Sequence, residues 1–193
     1  MNNTVLIGIL AVVLVVAVAA WRLYAGRRPV PEQLRRGRML PDFEATDEDG
    51  NPVRSSELRG APAVLLFVRG NWCPFCNSQV KNLTKHYKDI VGVGARLILV
   101  TPKPLETTRR VAEFYEVDFD FWLDESLQVA KQLELFLPGG VPKGYTGEYG
   151  SDTVWPTSIV VDSDGRIVYV NLSKFIADRP NPKVLFDAVR EAM

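Results

Sequence analysis

The sequence predicts an α/β fold in which helices flank a mixed central sheet, preceded by one N-terminal transmembrane helix. The sheet is predicted by residues 63–68, a continuous apolar run of strand length, which is followed by alternating helical and strand patterns. A strand–turn–strand pattern over residues 159–170 adds an antiparallel pair. The transmembrane helix is predicted by residues 5–21, which carry no charged side chain.

The composition is that of an ordinary globular protein. Of the 193 residues, 47% are apolar, and 23 basic side chains balance 23 acidic ones. A chain of this length can bury one well-packed core. Because the net charge is zero, there is no reason to expect nucleic acid as a partner. We therefore expect one folded domain with an N-terminal appendage.

The appendage, residues 1–22, is predicted to be a transmembrane anchor. As a helix, its uncharged run would span roughly 25 Å, close to the hydrocarbon core of a bilayer. Trp21 and Tyr24 stand where an interfacial aromatic belt is expected. Residues 4–22 would then contact the lipid bilayer. The alternative is a signal peptide cleaved at Ala17-Val18-Ala19, although no Lys or Arg precedes the apolar run.

The segment after the anchor, residues 23–40, is rich in Arg and Pro, lacks apolar periodicity and is predicted to be a linker. The folded domain is predicted over residues 41–193. Because the basic residues of the linker follow the anchor, the positive-inside rule would place this domain on the cytoplasmic face.

The domain is predicted to begin with a short hairpin over residues 43–53 and one helical turn over residues 55–58. Its main elements are strands over 63–68, 96–100 and 119–123, a helix after the two cysteines, helices over 108–115 and 126–135, a β-hairpin over 159–170 and an amphipathic helix over 184–192. Parallel strands joined by crossover helices would come first, and the antiparallel pair would close one edge.

The two cysteines, Cys73 and Cys76, lie close together in the stretch RGNWCPFCNSQ. A structural zinc site needs four Cys or His ligands. The single histidine, His86, would lie roughly 15 Å along a helix from the cysteines, so a metal site is not expected. A structural disulfide is also disfavoured, because so short a loop removes little unfolded-state entropy.

The position of the cysteines favours redox chemistry. Cys73 follows a buried strand and would begin a helix whose first turn contains Pro74. The helix N-terminus would stabilise a thiolate at Cys73, while the more shielded Cys76 would resolve the mixed disulfide that Cys73 forms. Trp72 and Phe75 would provide an apolar rim around the sulfur atoms. No cofactor is expected beyond the redox-active Cys73–Cys76 disulfide.

A second part of the site is predicted at Trp155-Pro156-Thr157, immediately before a strand. Proline is acceptable at the entrance to a strand. Residues 136–155, with five Gly, two Pro and two Tyr, fit no regular element and lead directly to this point. Loops of this length are usually functional or mobile, so we expect a lid or rim beside the cysteines.

These segments resemble the thioredoxin superfamily, and within it the alkyl hydroperoxide reductase/thiol-specific antioxidant (AhpC/TSA, peroxiredoxin-like, redoxin) branch. The matching segments are Pro41-Asp42-Phe43, VLLFVRG, WCPFC, ILVTPKP, FWLD, WPTSIVVDSDGRIVYV and ADRPNP, which span about residues 39–192. The resemblance implies a thioredoxin-like fold in which Pro156 is cis and faces Cys73, and Thr157 offers its backbone to a bound chain. Anchored redox proteins with this kind of motif often work outside the cytoplasm, so the side of the membrane stays open.

The chain departs from the Pro-x-x-x-Thr-x-x-Cys motif that typical peroxiredoxins carry. With Cys76 as the attacking cysteine, Arg69 and Cys73 occupy the Pro and Thr positions. The Arg that such enzymes place before the later strand is replaced by Trp155-Pro156, although Arg69 would supply a substitute charge. Three hypotheses follow: a membrane-anchored thiol–disulfide oxidoreductase in redox homeostasis, a thiol-dependent peroxidase in which Cys76 or Cys73 becomes a sulfenic acid, and a non-enzymatic membrane-tethered redox sensor.

The expected partners follow from these hypotheses. They are a protein or small-molecule disulfide or thiol, a hydroperoxide in the peroxidase case, and an electron-donor thiol protein. Proton transfer in such sites often uses a buried carboxylate. Asp42 and Glu44, near the first hairpin, are candidates on position alone.

Overall fold

The computed structural model describes residues 3–25, 28–103, 113–114, 116 and 119–193. Helix α1 (Asn3–Ala25) is present, and its described side chains, residues 7–19, are exposed. Across the described ranges, no helix is both long enough and apolar enough to cross a membrane. The transmembrane part of the prediction is therefore not supported by the structure.

The described part of the chain folds into strands and helices that follow the predicted order. The strands are β1 (Glu44–Thr46), β2 (Pro52–Arg54), β3 (Ala63–Phe67), β4 (Arg96–Thr101), β5 (Asp120–Leu123), β6 (Phe136–Leu137), β7 (Thr153–Val154), β8 (Thr157–Val161) and β9 (Ile167–Leu172). The helices after α1 are α2 (Pro74–Thr84), α3 (Tyr87–Gly92), α4 (Gln128–Gln132), α5 (Thr146–Tyr149) and α6 (Pro182–Glu191). Short 3-10 helices cover Glu32–Leu34, Ser55–Leu58 and Lys143–Tyr145.

The main sheet is mixed, as predicted. Its strand order is β2-β1-β5-β4-β3-β8-β9, and β6 pairs separately with β7. Strand β3 is parallel to β4 and antiparallel to β8, while β4 is parallel to β5. The antiparallel pair β8–β9 closes one edge, and the antiparallel pair β1–β2 lies at the other.

The side chains of β3 alternate between two hydrophobic cores. Leu65 and Phe67 belong to one core, and Val64 and Leu66 to the other. All four are buried, and burial of a side chain of this size contributes about 1.5–3 kcal/mol. The second core also contains both cysteines and apolar residues of α2 and α6. The cysteines are therefore packed on the face of the sheet that these two helices cover.

Residues 28–40, predicted as part of a linker, pack against the domain. Leu34 is fully buried in the first core. The backbone N–H of Gly37 donates to the carbonyl of Ile167 at 2.7 Å, and the N–H of Ile167 donates to the carbonyl of Arg38 at 2.8 Å. The segment thus pairs with the exposed edge of β9, where N–H and C=O groups need partners. Backbone pairing of this kind requires no apolar periodicity in the sequence. The lack of such periodicity is the reason that the sequence predicted a linker here.

The remaining element predictions have mixed outcomes. The structure confirms the strands near 63–68, 96–100 and 119–123, the helix after the cysteines, the hairpin within 159–170 and the helix near 184–192. The helix predicted over 126–135 is shortened to α4, because Leu127 and Glu134 adopt a positive φ of 58° on either side of it. The helix predicted over 108–115 lies largely outside the described residues.

Candidate active site

The loop between β3 and α2 carries both cysteines at the end of the central strand. Beyond β3, the N–H of Val68 still donates to the carbonyl of Val100 in β4, at 2.9 Å. Gly70 then turns the chain with a φ of +125°, which L side chains rarely adopt. The N–H of Cys73 donates back to the Gly70 carbonyl at 3.1 Å. The motif therefore lies between a buried strand and a helix, as predicted.

Cys73 is the N-cap residue of α2, and Pro74 lies in its first turn. The Cys73 Sγ accepts a hydrogen bond from the backbone N–H of Cys76 at 3.4 Å. The Cys76 thiol donates to the same sulfur, with 2.8 Å between the two Sγ atoms. Both thiols are free, and both residues are buried, at 1% and 0% exposure. Each sulfur is therefore within reach of the other but shielded from water.

The two thiols have opposite pKa shifts. The pKa of Cys73 is lowered from 9.0 to about 6, chiefly by the hydrogen bond from the Cys76 side chain; burial opposes this shift, and the Cys76 N–H, Arg179 and Arg69 add to it. Donating that hydrogen bond raises the pKa of Cys76 well above 9.0, and burial raises it further. Cys73 is thus the thiolate at neutral pH, and a thiolate is the nucleophilic form of cysteine.

Arg179, which the sequence analysis did not single out, contacts both sulfur atoms. Its Nη2 lies 3.2 Å from the Cys76 Sγ and 3.9 Å from the Cys73 Sγ. Its Nη1 donates to the Ser173 hydroxyl and to the carbonyls of Ile176 and Asp178, at distances of 2.7–3.2 Å. Arg179 lies within the ADRPNP segment. The sequence analysis used this segment only as part of the family resemblance and assigned the residue no role. The structure places a fixed cation against the dithiol.

Arg69, which was predicted to supply a charge, is buried in the site with 5% exposure. Its guanidinium lies 4.5 Å from the centre of the Trp72 ring and donates to the carbonyl of Gly140. Its charge lowers the pKa of Cys73. Burial lowers the pKa of Arg69 itself, and its Nε has no hydrogen-bond partner among the described residues. A second cation therefore acts on the nucleophile.

The segment over residues 136–155 forms a rim against the cysteine loop. Trp72 stacks on Tyr145, with ring centres 6.0 Å apart, and meets the Tyr149 ring edge-on at 6.4 Å. The Tyr149 hydroxyl donates to the side-chain oxygen of Asn71. The rim is thus present, but it contains β6, β7 and α5 where the sequence predicted no regular element. Movement of this segment as a lid stays a prediction.

The Trp155–Pro156 peptide bond is trans, so the predicted cis bond is wrong. The trans isomer of an X–Pro bond is favoured by about 0.5–1 kcal/mol, and the prediction rested on resemblance alone. Hydrogen bonds hold both sides of this bond: Trp155 donates its N–H to the Leu135 carbonyl at 2.6 Å, and Ser173 donates its N–H to the Pro156 carbonyl at 3.0 Å. Thr157, predicted to offer its backbone to a bound chain, is paired with strands on both sides and lies at no free edge.

A small cavity of 160 Å³ opens beside Trp155 and Pro156. Its other lining residues are Arg69, Leu137, Ser173, Phe175 and Ile176. Because most of these side chains are apolar, we call it the apolar cavity. Phe175 and Ile176 are 62% and 58% exposed at its mouth, while Phe75 of the cysteine motif is 38% exposed. The surroundings of the dithiol therefore offer apolar contacts to a substrate.

The predicted acid–base candidates are not brought to the sulfur atoms. Asp42 forms an exposed ion pair with Arg59 at 3.3 Å, and Glu44 forms one with Arg54 at 2.7 Å. The His86 side chain is 42% exposed. Charge around the dithiol is instead supplied by the two arginines described above.

Comparison with known proteins gives a consistent family likeness. The AhpC/TSA family model matches residues 36–170. The chain is 25% identical over 169 residues to the thiol-disulfide oxidoreductase ResA of Bacillus cereus, covering 86% of this chain and 87% of that protein. It is 26% identical over 143 residues to the chloroplastic peroxiredoxin Q of Triticum aestivum, covering 74% of this chain and 61% of that protein.

A solved structure shows the same architecture. The peroxidoxin BcpB from Mycobacterium tuberculosis superimposes with a TM-score of 0.64 at 23% identity, covering 83% of this chain and 99% of that one. At this identity the likeness shows the fold alone. The fold is the predicted thioredoxin-like arrangement, with a mixed central sheet between layers of helices.

Proposed function

The chain belongs to the AhpC/TSA family, and on this premise we propose that it is a thiol–disulfide oxidoreductase whose redox group is the Cys73–Cys76 pair. One observation carries the proposal: a thiol with a pKa of about 6 lies 2.8 Å from a thiol whose pKa is raised. This is the asymmetry that a nucleophilic and a resolving cysteine require.

Exchange proceeds in two steps. The Cys73 thiolate attacks one sulfur of a substrate disulfide, so a Cys73–substrate bond forms, the substrate S–S bond breaks and the other substrate sulfur leaves as a thiolate. In this mixed disulfide the Cys73 sulfur carries no negative charge, so it no longer stabilises the protonated form of the Cys76 thiol. Cys76 gives its proton to the substrate thiolate that left first and attacks the Cys73 Sγ; the Cys73–Cys76 disulfide forms, the Cys73–substrate bond breaks and the second substrate sulfur leaves as a thiolate. The substrate gains two electrons, and the dithiol loses two.

The surroundings support a substrate with an apolar group next to its disulfide. The apolar cavity is large enough for one apolar side chain rather than for a whole small molecule, because small-molecule sites usually occupy about 300–1,000 Å³. The exposed Phe175 and Ile176 extend its apolar surface outward. A protein or small-molecule disulfide with an apolar neighbour is therefore the proposed substrate class.

Thiol peroxidase activity is the second candidate, and the two arginines favour it. Arg69 supplies the substitute charge that the sequence predicted, and Arg179 adds a second positive charge beside the sulfur atoms. In this reaction the Cys73 thiolate attacks a hydroperoxide oxygen: an S–O bond forms, the O–O bond breaks, and the alcohol leaves with a proton. Cys76 then attacks the sulfenic acid sulfur, forms the disulfide and releases water. The lowered pKa of Cys73 and the raised pKa of Cys76 favour Cys73 as the attacking cysteine. Alignment with the peroxiredoxin motif had instead made Cys76 the first candidate for this role.

Single serine variants distinguish these functions. For exchange, Cys76→Ser should accumulate mixed disulfides at Cys73, and Cys73→Ser should be inactive. For peroxidase activity, Cys76→Ser should lose peroxide turnover, form a sulfenic acid at Cys73 and accumulate no mixed disulfide. Mass spectrometry of the trapped species and peroxide consumption give the two readouts. A chain that cycles with neither substrate but changes its oxidation state would fit the redox-sensor hypothesis.

Attachment to a bilayer through residues 4–22 is a further part of the proposal, and it rests on the apolar sequence of that segment. Cell fractionation followed by alkaline extraction should leave the full chain in the membrane pellet. Recovery in the soluble fraction would contradict attachment and would fit signal-peptide cleavage if the chain is also shortened. A compartment-specific reporter fused to the C-terminus would identify the side of the membrane.

A further inference from the structure

A second cavity, which the proposed exchange does not use, lies beside the cysteines. Its volume is 370 Å³, within the range of roughly 300–1,000 Å³ that small-molecule sites occupy. One wall is a face of α2 that includes Phe75, Gln79 and Asn82, spaced as neighbours on one side of a helix. The other wall is the segment before α6, including Arg179 and Asn181. We call this the polar cavity.

The lining of the polar cavity favours a small anionic ligand with many hydrogen-bonding groups. The neutral polar residues of the wall are Ser78, Gln79, Asn82 and Asn181; of these, the Gln79 amide already donates to Ser158 and the Asn181 Oδ1 already accepts from the Lys183 N–H. Arg179 supplies a positive charge, and none of the described lining residues is acidic. A carboxylate in this cavity would therefore find a cation and amide donors without an opposing carboxylate in the wall.

Arg179 connects the polar cavity to the sulfur atoms. The side chain that lines the cavity also places its Nη2 3.2 Å from the Cys76 Sγ. Its buried Nε has no hydrogen-bond partner among the described residues. An unpaired buried donor is costly, so an acceptor supplied by a ligand would stabilise the site. A ligand held by Arg179 would thus be held next to the dithiol.

We propose that the polar cavity binds a low-molecular-weight, anionic thiol with several hydrogen-bonding groups, which reduces the Cys73–Cys76 disulfide. The proposal rests on the redox function proposed above and adds the class of its electron donor. A small donor is favoured over a protein donor by the size and concave shape of the cavity, because protein partners need a broader surface of about 800 Å² on each side.

The reduction consists of two balanced exchanges. The thiolate of a first donor molecule attacks the Cys73 Sγ; a donor–Cys73 bond forms, the Cys73–Cys76 bond breaks, and Cys76 leaves as a thiolate beside Arg179 and takes up a proton. A second donor thiolate attacks the donor sulfur of this mixed disulfide and releases Cys73 as a thiolate. Two donor thiols become one disulfide, and the protein gains two electrons.

The test uses the oxidised full-length chain and two probe thiols, reduced glutathione and the smaller, uncharged 2-mercaptoethanol. Reduction by glutathione should be saturable, whereas reduction by 2-mercaptoethanol should be linear in its concentration. Asn82→Leu, at an exposed position of α2, replaces an amide in the wall by an alkyl group. It should raise the half-saturating glutathione concentration about tenfold, as expected for the loss of one hydrogen bond and some cavity space.

The controls separate this site from the redox function itself. Gln128→Leu makes the same amide-to-alkyl change at an exposed position of α4 and should alter neither reaction. Asn82→Leu should also leave the 2-mercaptoethanol rate unchanged. The proposal is overturned if glutathione reacts without saturation, if Asn82→Leu has no effect, or if it slows both thiols equally. If no Cys73–Cys76 disulfide forms on oxidation, the proposed function fails and this site fails with it.

Discussion

The Nη2 atom of Arg179 lies 3.2 Å from the Sγ of Cys76 and 3.9 Å from the Sγ of Cys73. The guanidinium is held in place by acceptors from the segment just before it. One cation is therefore positioned to stabilise negative charge on whichever sulfur carries it during exchange. A thiolate gains from such a neighbour because hydrogen bonds to a charged group are stronger than those between neutral groups.

Replacement of this cation should slow the reaction of the nucleophile. Because the charge of Arg179 lowers the pKa of Cys73, Arg179→Ala should raise that pKa and reduce the thiolate fraction at neutral pH. Alkylation of Cys73 by iodoacetamide should then be about three- to tenfold slower at neutral pH. The exposed Arg190 of α6 provides the matched control, and Arg190→Ala should react like the wild type. Equal rates in wild type and Arg179→Ala would contradict the role of this cation.

The stability of the reduced protein should depend on pH through Cys73. Its folded-state pKa is about 6, below the ordinary value of 9.0, so deprotonation favours the folded state. The free energy of unfolding should rise between about pH 6 and pH 9, and this gain should be lost as the pH falls through about 6. Urea denaturation across this window measures the effect. Cys73→Ser should remove most of the slope, and a flat profile in the wild type would argue against a buried thiolate.

Gly70 should tolerate alanine poorly. A Cβ atom there would lie 3.0 Å from the Trp72 Nε1 and 3.1 Å from a ring carbon of Tyr149, in a backbone with a φ of +125°. Gly70→Ala should therefore lower the free energy of unfolding by about 1–3 kcal/mol. Gly50 also has a positive φ, of +86°, but open space around it, so Gly50→Ala reports backbone strain alone. Equal losses in the two variants would show that crowding at Gly70 contributes nothing.

The rim should be held by Trp72 rather than being freely mobile. Trp72 contacts both Tyr145 and Tyr149, and the Gly140 carbonyl accepts a hydrogen bond from Arg69. Limited proteolysis of the wild type should therefore cut residues 138–152 no faster than other loops of the domain. Trp72→Ala should increase cleavage there, because an aromatic pair contributes about 0.5–1.5 kcal/mol. Rapid cutting of this segment in the wild type would support the lid hypothesis instead.

The central strand and the position of the dithiol were predictable because their signals are local. Residues 63–68 are apolar without interruption, since both faces of β3 are covered by cores. The cysteines follow at once, and Pro74 marks the first turn of α2. A buried strand followed by a helix start places Cys73 at the N-terminus of α2 through backbone geometry alone. Local patterns were therefore sufficient for the nucleophile.

The contacts that complete the site were not predictable, because they join distant parts of the chain. Arg179 is 103 positions from Cys76, and only the fold brings the segment before α6 against α2. The pairing of residues 37–40 beside β9 depends on backbone hydrogen bonds, which leave no apolar pattern. The cis bond at Pro156 was predicted from the family resemblance alone, and this prediction was wrong. The bond is trans, and the residues on both sides of it are hydrogen-bonded.

The docking of residues 28–40 also limits how far the end of helix α1 can move from the domain. Arg28 donates to the carbonyls of Glu134 and Phe136 at 2.6 and 3.2 Å, while α1 ends at Ala25. Three fully extended steps of chain reach no more than about 11 Å, so the end of α1 stays within about 11 Å of the Arg28 backbone, whose side chain binds these carbonyls. The residue after Phe136 in the chain, Leu137, lines the apolar cavity. A surface or partner that bound α1 would therefore hold the apolar cavity at a short tether from itself.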